Sequence, residues 1–145
     1  MKLRIVLLSF LMAFTQLSFA QMPPKPDSCP SASALQGVPF IFAQKPDEAP
    51  GFMAIAMPSN YGTNDTWGFL MGFIDAKDAF EAVMTANQHL GGVYGDPEPF
   101  PVEDQNVWIC GYGVKDTPYQ AIAVTPLSGG FQSLKVGSLL KRAHA

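Results

Sequence analysis

The stretch Trp67-Gly-Phe-Leu-Met-Gly-Phe-Ile74 constrains the fold more than any other part of this chain. Its large side chains alternate, Trp67, Phe69, Met71 and Phe73 on one side and Leu70 and Ile74 on the other, which is the period of a strand and not of a helix. Gly68 and Gly72 fall together on one face of that strand. A second glycine-bearing run, Val107 to Val114, repeats the arrangement with Gly111 and Gly113. Glycines stacked on one face of a strand mark the close approach of another backbone or a ligand. The expectation is that a helix over residues 75–90 lies in that groove.

Turn chemistry divides the rest into short pieces. Pro39 to Gln44 is an apolar run that stops at Lys45-Pro46-Asp47, and Gly51 to Met57 is another, closed by Pro58-Ser59-Asn60. Val107–Val114 and Tyr119–Thr125 flank a turn around residues 115–118 and read as a hairpin. One helix is well marked. Asp75 is an N-cap candidate, Asp78 is an acid in the first turn, and Ala79, Phe80, Val83, Met84, Asn87 and Leu90 recur at helical spacing before Gly91-Gly92. Residues 131–140 fit either a strand or a short helix. Strands first, then one helix, then a hairpin predict an α+β fold: an antiparallel β-sheet with one main α-helix, about 75–90, packed on one face.

The amino terminus bears on compartment. Lys2 and Arg4 precede an apolar stretch, Ile5 to Phe14, and Ser18 and Ala20 place small residues two apart. This is the pattern of a cleavable signal peptide over residues 1–20, cut after Ala20. The apolar core is half the ~20 residues that a bilayer span needs. Residues 21–30, with Pro23, Pro24 and Pro26, form an extended arm, because proline forbids helix there. Residues 31–145 then make a single domain. Export leads to a secreted or periplasmic location, where Cys29 and Cys110 are expected to form a disulfide.

Charge excludes some partners. The net charge of −3 becomes −5 once Lys2 and Arg4 are removed. A mildly acidic chain lacks the basic footprint of a nucleic-acid binder, and its only adjacent basic pair is Lys141-Arg142. The mature chain also holds no stretch long enough to span a membrane.

Catalytic chemistry finds little to work with. His144 is the penultimate residue, and His89 lies about half a turn around its helix from Phe80, on the expected solvent side. Asp96, Glu98, Glu103 and Asp104 share one loop without EF-hand spacing. No zinc, phosphate-loop or dinucleotide pattern is present. The expectation is a protein with no catalytic residues, no metal site and no enzyme activity. The aromatic content instead suits a flat apolar ligand or a protein partner. The mature chain keeps Trp67, Trp108, four tyrosines and eight phenylalanines.

Ser28-Cys29-Pro30, the Trp67–Ile74 strand and the Val107-Trp-Ile-Cys-Gly-Tyr-Gly-Val114 strand, together with the signal, resemble a family of small secreted Legionella-type proteins that includes a haemin-binding member. The resemblance implies a secreted or periplasmic binding protein for haemin, without assigning ligand positions. Ferric haem takes Tyr or His donors, and the candidates are His89, Tyr94 and Tyr61. His89 and Tyr94 stand five residues apart across Gly91-Gly92, close enough in sequence to share one iron. Cys29-Pro30 also matches a haem-regulatory dipeptide, but that role needs a thiolate, which a disulfide removes. The alternative function is an interaction module, inhibitor-like or envelope-associated, that contacts a partner protein through loops 58–66 and 91–105.

Overall fold

The computed structural model describes residues 21–47, 49–131 and 134–143. The proposed signal peptide and His144 lie outside the described residues. A short helix α1 (Ala32–Gln36) leads into β1 (Phe40–Gln44), β2 (Phe52–Ala56) and β3 (Gly68–Ile74). Helix α2 (Ala79–His89) follows, then β4 (Val93–Tyr94) and β5 (Phe100–Val102). The hairpin β6 (Val107–Val114) and β7 (Gln120–Thr125) and the helix α3 (Val136–Arg142) complete the chain. All seven strands join one antiparallel sheet in the order β1-β2-β3-β7-β6-β4, with β5 also pairing β6. The α+β expectation holds, with α2 as the main helix.

Strand alternation sorts the core into two layers. Ala54, Ala56, Phe69, Met71, Cys110, Tyr112, Ala121 and Ala123 face α2. Met53, Ile55, Leu70, Ile109, Ile122 and Val124 face α3 with its Val136, Leu139 and Leu140. The two layers differ in how they admit a helix. On the α2 face the sheet shows alanines, and α2 answers with Ala82 and Ala86, both fully buried. Small residues on both sides let the helix backbone come close to the sheet.

This packing sets the rotation of α2 and corrects its expected apolar stripe. Phe80 and Met84 were expected to face the core, yet they are 75% and 49% exposed. Burying a large apolar side chain stabilises by ~1.5–3 kcal/mol, but an alanine-lined groove has no room for a phenyl ring. Polar contacts fix the same rotation. Asn87 accepts from the Phe40 N–H at 2.9 Å and donates to the Phe40 carbonyl at 3.0 Å. The N-cap is Asp78 and not Asp75: its carboxylate accepts from the Glu81 N–H at 2.8 Å, while Glu81 accepts from the Lys77 N–H at 2.8 Å.

The glycine groove is filled, but not by α2. A Cβ at Gly68 would overlap the Phe131 ring, one at Gly72 would press on Met53 and Leu140, and one at Gly111 would meet Ala143. These glycines lie on the face covered by α3 and the segment before it. Within the C-terminal stretch that fitted either strand or helix, the regular element is the helix α3, Val136–Arg142, and it takes the place expected for 75–90.

At the N-terminus, the arm is tied along β6. Cys29 and Cys110 form a disulfide with Cα atoms 5.9 Å apart. The helix rotation makes a direct test. Ala86→Leu should overfill the groove and cost about 1–3 kcal/mol in chemical unfolding. Phe80→Leu on the same helix should change stability by less than about 0.5 kcal/mol. The reverse order would mean that α2 packs through its large side chains.

Candidate functional site

The three candidate donors end up in three different environments. Tyr61 sits at positive φ (47°) in the turn after β2, and its ring folds inward, edge-on to Phe69 at 6.2 Å. Its hydroxyl donates to the Met57 carbonyl at 2.8 Å, and the residue is 5% exposed. Burial pushes its phenol up to about 12. Tyr61 is thus a core residue whose one donor is already used.

His89 ends α2 on the α2 face, half-buried, with its ring edge-on to Tyr119 at 5.5 Å. The expected solvent face for this histidine is corrected by that contact. Tyr94 lies on the other side of the sheet. In β4 it stands opposite Gly113, and the hydroxyl end of its ring lies over that glycine, where any Cβ would collide with the phenol. Gly113 is on the same side of β6 as Gly111, which touches Ala143 of the α3 layer. The five-residue spacing therefore does not bring His89 and Tyr94 together: Val93 points its side chain into the α2 layer, and Tyr94 points away from it.

Tyr94 is the donor that remains on the surface. It is 53% exposed, and its hydroxyl has no hydrogen-bond partner among the described residues. Phe100 joins it. β4 and β5 lie in line along the same edge of β6, and Phe100 stands opposite Ile109, on the α3 face, 55% exposed. The two rings are four β6 residues apart, about 13 Å at ~3.3 Å per residue. Between them the floor is Gly111, flush with the end of α3, and the connecting segment Gly95-Asp-Pro-Glu-Pro99 carries two carboxylates. Phe100 escaped the sequence reading because its strand has three residues and is flanked by Pro99 and Pro101. The only trace of it was the alternation of Phe100 with Val102, which is buried.

Other surfaces are less selective. A cleft of about 490 Å³ between the β1–β2 connection and α3 has an apolar floor of Met53, Phe73 and Leu134. A cleft of about 340 Å³ lies between the proline arm and Trp108. Among the described residues no group of three His, Cys, Asp or Glu side chains is placed to hold a metal ion. The loop at 58–66 is tied down by its own bonds, Trp67 Nε1 to Thr63 Oγ1 at 2.9 Å and Thr63 Oγ1 to the Asn60 carbonyl at 2.9 Å. Compared with known proteins, the chain matches no family model, no curated protein and no solved structure.

Two buried phenols give the fold a pH signature. Tyr112 donates to the Pro30 carbonyl at 2.5 Å, and burial, with the Asp96 charge, raises its pKa well above the usual tyrosine value. An acid whose folded pKa is raised keeps its proton longer when folded than when unfolded. Its contribution is complete below the unfolded value of about 10 and is lost as pH rises through the folded one. Stability should therefore fall between pH 10 and 12, by up to about 1.4 kcal/mol per pH unit for each tyrosine. Urea titrations at pH 9 to 12 should show this slope, and Tyr61→Phe should reduce it to the part that Tyr112 contributes. An equal slope in the variant would contradict the burial of that phenol.

Proposed function

We propose that this protein is an exported, non-enzymatic binding protein that takes haemin at the Tyr94–Phe100 edge. The observation that carries the reading is the surface phenol of Tyr94, unpartnered and seated over Gly113, with a second exposed ring on the same face. A phenol oxygen is a suitable axial donor to ferric haem. Aromatic rings on either side of a glycine floor suit a flat apolar molecule. The Cys29–Cys110 disulfide fits an oxidising compartment, and no helix among the described residues is long and apolar enough to cross a membrane. The family resemblance supplies the identity of the ligand. Of the donors considered, only Tyr94 enters the reading, because Tyr61 is buried and His89 is engaged with Tyr119 on the opposite face.

Haemin titration of the chain from Gln21 to Ala145, with its disulfide formed, tests this. A Soret shift is expected for the wild type, for Tyr61→Phe and for His89→Ala, with at least a tenfold weaker affinity for Tyr94→Phe. A Tyr94→Phe protein with the wild-type spectrum and affinity would remove the site.

A further inference from the structure

At the other end of the sheet, β1 is an edge strand with β2 on one side only. Among the described residues its outer backbone is met at a single point, Phe40, by the side-chain amide of Asn87, which pairs with both the N–H and the carbonyl as a neighbouring strand would. Beyond Phe40 no strand or side chain among the described residues continues that pairing. An open edge is a template for another strand.

Both flanks of this edge are apolar. Phe80, Met84 and Asn87 follow the i, i+4, i+7 spacing of one helix stripe. Because Asn87 reaches the outer edge of β1, that stripe lies beside it on the α2 face. Phe80 is 75% and Met84 49% exposed there. On the α3 face the edge presents Phe42, paired with Ile55, together with Ile41 at the bulge; they are 44% and 51% exposed. A strand laid against β1 beyond Phe40, whose outer N–H and carbonyl Asn87 already takes, would be covered by apolar side chains above and below, as in the interior of a sheet.

We infer that the occupant is β1 of a second copy, paired antiparallel about a two-fold axis. Such an axis brings each apolar flank against its own copy in one step: β1 on β1, the α2 stripe on the α2 stripe, and Phe42 on Phe42. Self-complementarity of this kind defines an isologous dimer. Charge does not oppose it, because Phe40–Gln44 and the stripe Phe80, Met84, Asn87 contain no charged residue. The area is of the right order. At ~150–250 Å² per aromatic side chain, the exposed parts of Phe80 and Phe42 alone supply roughly 240 Å² per protomer, and those of Ile41 and Met84 add to it. The strand backbones and their borders add to this, toward the ~800 Å² per partner of a standard stable interface. Pro39 and Pro46 bracket the strand, which confines pairing to this short segment, and the two-fold contact uses up the edge of both copies, so growth ends at two. The inference is independent of any ligand at Tyr94, which sits on the opposite edge.

Sedimentation velocity on the oxidised chain from Gln21, from about 1 to 200 µM, tests it. A dimer is expected for the wild type, and monomers for Phe80→Asp and for Phe42→Lys. Both substitutions are at exposed positions, and an acid at position 80 suits the first turn of a helix, so circular dichroism should match the wild type. A third variant, Phe100→Asp on the far edge, should remain dimeric. A wild type that stays monomeric at 200 µM, or a dimer that survives both edge substitutions, would overturn the inference. So would an edge that captures an unrelated extended peptide while the chain itself stays monomeric.

Discussion

Three alternate side chains of β6 hold this structure together. Trp108, Cys110 and Tyr112 point to the same face, and each fastens the N-terminal arm. The Trp108 indole donates to the Pro23 carbonyl at 3.0 Å, Cys110 is bonded to Cys29, and the Tyr112 hydroxyl donates to the Pro30 carbonyl. A segment that cannot form helix or join the sheet is thereby laid across the core as a third covering element. Cys110 and Tyr112 are fully buried under it. Residues brought together from 81 to 85 positions apart close most of the chain into one loop.

With that face covered at one end by the arm and elsewhere by α2, the sheet can use different chemistry on its two sides. Alanines meet alanines under α2, and glycines meet Phe131, Leu140 and Ala143 under the α3 layer. Gln36 of α1 donates to the Val93 carbonyl at 2.8 Å, so the segment entering β1 is joined to β4. The consequence for function is a separation of tasks. The proposed haemin edge, β4 and β5, carries Tyr94 and Phe100. The proposed association edge, β1, carries Ile41 and Phe42. Neither draws on residues of the other.

The strands with clean alternation were legible in the sequence. Trp67–Ile74 and the hairpin Val107–Val114 with Tyr119–Thr125 lie within a residue or two of their observed limits, because period two and turn residues are local properties. The disulfide was legible from the export signal read together with the presence of two cysteines, Cys29 and Cys110. The rotation of α2 was not, because a hydrophobic pattern favours Phe80 and Met84 over Ala82 and Ala86. The deciding quantity was the space left by Ala54, Ala56, Ala121 and Ala123 on the sheet, which only the assembled fold defines. The glycine groove was recognised, but its occupant was not. α3 has no side-chain cap at Lys135 and little local signal of its own. Of the site, Tyr94 was legible as a candidate donor just past Gly91-Gly92. Tyr61, also beside a glycine, turned inward, where its ring meets Phe69 edge-on and its hydroxyl is taken by the Met57 carbonyl.

The claim that the arm and its bond to β6 secure the fold is tested most directly by equilibrium urea unfolding of a Cys29→Ser, Cys110→Ser double variant beside the wild type. Loop-closure entropy for a ring of this length sets an upper figure of about 4–5 kcal/mol, and removal of such bonds typically costs ~2–5 kcal/mol. A loss in that range, with residues 21–30 becoming open to protease, is the expected result. A double variant within about 0.5 kcal/mol of the wild type, its arm still protected, would contradict the account.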